Sequence, residues 1–122
     1  MTTILIVDDD PEIQKVFTTI LSILGYSTLS ASGGEECLML LKQHHPDLIL
    51  LDILMEPMDG WQTLTMIKTN PEMNAVPVFV VSGKKIDNDE LKKHHDKFKL
   101  YLRKPVTPRQ LKEAIEKYLK SP

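Results

Sequence analysis

At 122 residues, with 42% apolar and 26% charged residues and a formal net charge of -2, the chain has the size and composition of one ordinary globular domain. Its one cysteine, Cys37, excludes an internal disulfide framework and suits a reducing compartment, and no apolar run approaches the roughly 18 residues of a membrane span. Charge is uneven: residues 1–61 hold ten acids against Lys15 and Lys42, whereas residues 62–122 hold thirteen bases against seven acids. This polarity marks an interaction face, but it is not the uniformly basic surface of a nucleic-acid binder, so neither direct nucleic-acid nor membrane contact is expected.

In chain order, the apolar run Ile4-Leu5-Ile6-Val7 reads as a buried parallel strand. No basic leader or cleavage signal precedes it, which points to a cytoplasmic protein. Asp8-Asp9-Asp10 follows, with Asp10 placed to cap a helix and Pro11 suited to its first position. Ile13, Val16, Phe17, Ile20, Leu21 and Leu24 recur at helical spacing, and Gly25 ends that helix. Residues 27–31 predict a short second strand, and Gly33-Gly34 opens a helix that carries Leu38 and Leu41 and stops before Pro46. A third strand, Leu48-Ile49-Leu50-Leu51, ends at Asp52, and the loop Ile53 to Asp59 leads through Gly60 into a helix with Trp61, Leu64 and Ile67.

Pro71 and Pro77 bracket the next connection, and Val78-Phe79-Val80-Val81 forms a fourth strand ending at Ser82-Gly83. A polar helix over 88–97, rich in Lys and His, comes next, and the shorter run Leu100-Tyr101-Leu102 gives a fifth strand ending at Lys104-Pro105. Pro108 starts the last helix, whose Leu111, Ala114, Ile115, Tyr118 and Leu119 face inward. The alternation predicts an α/β fold, a doubly wound five-stranded parallel sheet flanked by five helices. There is no linker, repeat or low-complexity segment, so residues 1–122 read as one domain with no room for an output domain.

In open parallel sheets, sites form beyond the carboxyl ends of the strands. Asp8, Asp9, Asp52, Ser82 and Lys104 all fall there. Taken singly, each has a plain structural reading: an aspartate or serine after a strand caps the next helix, and Lys-Pro makes a turn. Together they bring carboxylates, a hydroxyl and an ammonium to one sheet edge. Clustered carboxylates resist ionisation, and a hard divalent cation such as Mg²⁺, which takes oxygen ligands, relieves their repulsion. An aspartate can also act as a nucleophile toward phosphorus, with Lys104 and Ser82 meeting phosphoryl oxygens and Gly83 leaving space. Pro105 would hold its loop in one shape. No Cys/His cluster suits zinc, and the pairs His44-His45 and His94-His95 read as solvated.

Read together, Ile6-Val7-Asp8-Asp9-Asp10, Leu50-Leu51-Asp52-Ile53-Leu54-Met55, Met58-Asp59-Gly60, Val80-Val81-Ser82-Gly83 and Tyr101-Leu102-Arg103-Lys104-Pro105 resemble the receiver domain of two-component response regulators, across essentially the whole chain. The resemblance implies a flavodoxin-like receiver fold with strand order 2-1-3-4-5. It implies that Asp52 accepts a phosphoryl group from a sensor histidine kinase or a histidine phosphotransfer protein, and that the chain is a switch catalysing only its own phosphorylation and dephosphorylation. Asp9, Asp52 and the backbone carbonyl of Leu54 would hold Mg²⁺, with Asp8 acting through water. Ser82 and Lys104 would contact the phosphoryl group, and Ser82 and Tyr101 would form the switch. Output would pass to a downstream protein, or to a second copy in a homodimer, through the fourth helix, fifth strand and fifth helix.

Three departures from the family pattern stand out. Glu56 replaces the usual proline four residues after the acceptor, with Pro57 one later. Asp96-Lys97-Phe98-Lys99 replaces a small Gly-Ala pair, and Lys84, Lys85, Lys92, Lys93, Lys97 and Lys99 make the fourth-helix region cationic. That run is either a solvated face or a docking surface for an acidic partner. Two rival functions compete. Asp8-x-Asp10 also resembles the nucleophile motif of haloacid-dehalogenase-type phosphatases, although the fourth strand lacks the later acidic motif. A pseudo-receiver that is never phosphorylated would normally lose one of the site residues, and none is lost here.

Overall fold

The structure, a computed structural model, describes residues 2–119; the residues at 1 and 120–122, the two ends of the predicted domain, lie outside it. Five strands, β1 (Thr3–Val7), β2 (Ser27–Ala31), β3 (Leu48–Leu51), β4 (Val78–Ser82) and β5 (Leu100–Arg103), alternate with five helices. The helices are α1 (Pro11–Ile23), α2 (Gly34–Leu41), α3 (Gly60–Thr69), α4 (Asn88–His94) and α5 (Pro108–Leu119). The strands form one parallel sheet in the order β2-β1-β3-β4-β5, as expected.

Side chains alternate across each strand, so one sheet serves two cores. Leu5, Val7, Ile49 and Leu51 point to the face covered by α2 and α3, where they meet Cys37, Leu41, Leu64 and Ile67. Ile4, Ile6, Leu48 and Leu50 point to the opposite face, against Phe17 and Leu21 of α1 and Leu111 and Ile115 of α5. Every residue of β3 and all but the first of β1 is buried. Every residue of β4 is buried as well. Each fully buried Leu, Ile, Val or Phe contributes roughly 1.5–3 kcal/mol, so these three inner strands are firmly held. The acidic residues of interest stand at the ends of β1 and β3.

Capping follows the sequence. Asp10 accepts a hydrogen bond from the Glu12 amide at the start of α1, with Pro11 in the first turn, and Gly25 takes a positive φ after the helix. Asp59 and Asp87 cap α3 and α4 reciprocally with Gln62 and Glu90. One boundary differs from expectation. Helix α4 ends at His94 rather than near 97, because residues beyond it turn so that Phe98 packs against the sheet core. Strand β5 runs to Arg103, whose partner across the ladder is Ser82, so Lys104 is the first residue past its end.

Register fixes the functional edge. Ala31, Val7, Leu51, Val80 and Tyr101 are successive ladder partners across the sheet. Asp8 and Asp52 therefore lie one residue beyond a common line, Ser82 two beyond, and Lys104 three beyond. Among the described residues, no helix is long and apolar enough to cross a membrane.

Candidate functional site

Asp8 and Asp52 are both buried, 2% and 5% exposed, while Asp9 beside them is exposed. One oxygen from each lies within 4.8 Å of the others. Lys104 reaches into this cluster from the loop after β5. Its Nζ donates to Asp8 Oδ2 at 2.7 Å and to Asp52 Oδ2 at 3.4 Å. The tighter contact is thus with Asp8. Asp8 Oδ1 accepts the Asp10 amide at 2.9 Å, so both of its oxygens are engaged. Among the described residues, Asp52 Oδ1 accepts only the Leu54 amide, at 3.2 Å.

The electrostatics follow from this packing. Burial raises the pKa of Asp52; Lys104 opposes that shift, and Asp8 adds to it. Burial by itself would lower the Lys104 pKa, but the hydrogen bonds and charges of Asp8 and Asp52 more than reverse this and raise it. The edge therefore holds one fixed cation among three carboxylates. It is an oxygen-rich site with an excess of negative charge and without cysteine or histidine, which suits a hard divalent cation.

Backbone geometry supports the site. Gln14 of α1 donates its Nε2 to the carbonyls of Asp8 (2.7 Å) and Ala31 (2.8 Å), tying the ends of β1 and β2 together. Gly60 begins α3 hard against the end of β3, where a Cβ would collide with the Asp52 carbonyl and the Ile53 Cα. Only a glycine allows the helix to start so close to Asp52. The Glu56–Pro57 and Lys104–Pro105 peptide bonds are cis. A mouth of about 410 Å³ opens over the edge, lined by Asp9, Leu54, Glu56, Asp59, Trp61 and Lys84. Leu54 is 55% exposed there, and the added carboxylate of Glu56 stands on the rim.

Ser82 is fully buried, and its Oγ accepts the Lys84 amide at 3.2 Å. It closes a local turn and does not cap α4, a role that belongs to Asp87. Space above Gly83 is open, since a Cβ there would meet nothing within 4 Å. Tyr101 is half-buried and donates its hydroxyl to the Lys84 carbonyl. Lys84 is thus held at three points: by Ser82 at its amide, by Tyr101 at its carbonyl and by Glu90 at its ammonium, 2.8 Å away. The same Glu90 oxygen accepts the Trp61 indole N–H at 2.9 Å. These bonds hold the Glu90 carboxyl down to about 2, with Lys84 the larger influence and Trp61 next.

Two features escaped the sequence. His94 is not solvated: it is 6% exposed and stacks on Trp61 with ring centroids 4.2 Å apart and planes 3° from parallel. Its neighbour His95 and the pair His44-His45 are exposed, as read. The convergence of Lys84 and Trp61 on Glu90 was also missed. Its visible trace is Asp87-x-x-Glu90, a capping box that fixes where the Glu90 carboxylate begins.

Comparison with known proteins agrees with this architecture. Residues 4–116 match the family described as response regulator receiver domain. The polar-differentiation response regulator DivK of Brucella ovis is 31% identical over 116 residues, covering 95% of this chain and 94% of that protein. The crystal structure of the N-terminal domain of a response regulator receiver protein from Methanoculleus marisnigri JR1 superimposes with a TM-score of 0.82 at 46% identity, covering 100% of this chain and 99% of the other. The receiver domain of the sensor histidine kinase PA1611 from Pseudomonas aeruginosa shares the fold, with a TM-score of 0.88 at 23% identity over 98% of each chain. That structure carries a magnesium ion coordinated in its active-site cleft.

Proposed function

Because the chain belongs to the response regulator receiver family, we propose that it is a phosphorylation-driven switch of a two-component relay, with Asp52 as the phosphoacceptor. The observation that carries this reading is the placement of Asp52. It is a buried carboxylate at the end of β3, with one oxygen bound only by the Leu54 amide, an exposed Asp9 beside it and Lys104 facing it. A carboxylate oxygen attacks phosphorus, the bond from phosphorus to the donor imidazole breaks, and the imidazole nitrogen takes up a proton. The product is a mixed anhydride on Asp52. No separate substrate is turned over: the chain catalyses only this transfer and the later hydrolysis of the anhydride, in which water attacks phosphorus and Asp52 leaves as the carboxylate.

The donor set fits Mg²⁺, as does the presence of that ion in the Pseudomonas neighbour. Asp9, Asp52 and the Leu54 carbonyl would hold it, and the bound cation supplies charge neutralisation between the acceptor and the incoming phosphoryl group. Asp8 has both oxygens engaged by Lys104 and the Asp10 amide, so it would act through water. Lys104 meets one phosphoryl oxygen, and Ser82 donates its hydroxyl to another, turning away from the Lys84 amide that its Oγ now accepts. That exchange frees the turn that Tyr101 and Glu90 hold, and so carries the change to α4 and β5.

The phosphodonor is a sensor histidine kinase or a histidine phosphotransfer protein, and the setting is cytoplasmic. The downstream partner reads the face of α4, β5 and α5, where Leu91, Tyr101 and Tyr118 are accessible; a second copy of the chain is the alternative reader. Intact-mass measurement after incubation with Mg²⁺ and a small phosphodonor should show one added phosphoryl group. Persistence of that gain in Asp52→Ala overturns the assignment.

A further inference from the structure

An open groove of about 820 Å³ lies between α3 and α4, distinct from the exposed face of α4, β5 and α5; it adjoins the mouth over the acidic edge, with which it shares Asp59 and Trp61. One wall is apolar: Trp61 and Met66 of α3, with Met58 from the preceding loop. Met66 is 47% exposed, more than a core methionine would be. Flexible, polarizable thioethers beside an indole make a surface that adapts to an inserted side chain. The other wall is cationic, formed by Lys93 of α4 and Lys97 just beyond it. Among the described residues, neither makes an ion pair. Between the walls sits His94, 94% buried by its 6% exposure, whose Nδ1 has no hydrogen-bond partner. A buried nitrogen without a partner costs free energy unless something else satisfies it.

The acids of the groove are at the opposite end. Glu35 belongs to α2, and Asp59 is occupied at the start of α3, accepting the Gln62 amide. The groove is therefore polarised, positive along α4 and negative toward α2. We propose that it docks an acidic amphipathic segment of a partner protein. Such a segment inserts an apolar side chain between Trp61 and Met66 and sets its carboxylates against Lys93 and Lys97. The inference rests on the receiver reading only for the existence of a partner. The complementarity itself comes from the two walls. Trp61 also donates to Glu90, which holds Lys84 on the Ser82 turn, so the groove and the acceptor edge share one chain of hydrogen bonds.

The test uses the full, unphosphorylated chain and a helical peptide of leucine, alanine and glutamate patterned with one apolar and one acidic face. A matched peptide with lysine in place of glutamate is the control. Binding is read by emission of the single tryptophan, Trp61, and by nuclear magnetic resonance of the Met58 and Met66 methyl groups and of the backbone amides. The acidic peptide should shift all three residues. Met66→Glu, at an exposed position, should weaken binding about tenfold or more, and the double variant Lys93→Glu, Lys97→Glu should do the same. Equal binding of the lysine peptide, undiminished binding by Met66→Glu, or shifts confined to Leu91, Tyr101 and Tyr118 would each overturn the proposal, as would no binding at all. Failure of the phosphoacceptor reading shows separately, as no mass gain on Asp52, and leaves this titration unaffected.

Discussion

Two lysine–carboxylate pairs of nearly equal length behave as different kinds of object. Lys104 and Asp8 meet at 2.7 Å with side chains 21% and 3% exposed, whereas Lys84 and Glu90 meet at 2.8 Å with side chains 41% and 16% exposed. The first joins the ends of two strands 96 positions apart in the chain. Each strand end is fixed by the sheet, so the pair loses little freedom on forming, and its carboxylate has no water to fall back on. The second joins a turn to a helix over six residues, in contact with solvent that screens it. Distance alone would rank them together; burial separates a structural counter-charge from a releasable tether.

Removing each partner in turn breaks the comparison most sharply. Lys104→Ala leaves two buried carboxylates facing one another and should cost about 3 kcal/mol in urea unfolding without metal. Part of that loss should return in Mg²⁺, since a second cation can take the place of the first. A variant as stable as wild type in metal-free buffer would show that the edge tolerates its charge unaided.

Asp52→Asn works in the opposite direction. Burial and Asp8 both disfavour the Asp52 charge, so the amide should raise the urea midpoint in metal-free buffer while abolishing phosphoryl acceptance. Adding Mg²⁺ should narrow the gap by stabilising the wild type more. A lower midpoint for the variant would contradict the repulsion inferred here.

Glu90→Gln probes the tether. Unfolding should hardly change, because the pair is screened, but Trp61 emission should shift as its indole loses a charged acceptor. In wild type, added salt should move emission in the same direction. Identical spectra for the two proteins would mean that Trp61 does not sense Glu90 in solution.

The smallest effect is expected from pH. Burial, then Lys97 and Lys93, lower the His94 pKa below its ordinary 6.5, against the opposing pull of Glu90 and Asp59. The folded imidazole stays neutral while the unfolded one takes up a proton. This residue therefore leaves stability unchanged well above 6.5 and lowers it as pH falls through that value. His94→Leu should flatten this part of the pH profile; an unchanged slope would place its origin elsewhere.

The acidic edge was legible because each of its groups follows an apolar run, and the position of a strand end is fixed by the run itself. Asp8, Asp52, Ser82 and Lys104 needed no knowledge of side-chain orientation to be brought together. His94 was illegible for the complementary reason. Its own helix is polar, which argues for solvent, and the surface that buries it is Trp61, 33 positions earlier on another element. The extent of α4 was misread on the same grounds, since the charged pattern through Lys97 gives no sign that Phe98 turns inward. The choice of Asp8 over Asp52 as the closer partner of Lys104 depended on fractions of an ångström that strand order does not set.

Cys37, on the buried face of α2 with no exposed surface, has its thiol pushed up to about 12 by burial. At neutral pH it is neither ionised nor reachable, so maleimides and related reagents should pass over the folded wild-type chain. A cysteine introduced at an exposed position such as Met66 or Leu91 would then carry a dye or spin label with no competing background and no need to disturb the core. The groove and the α4 surface can in this way be reported on independently, in a protein whose own thiol stays silent until it unfolds.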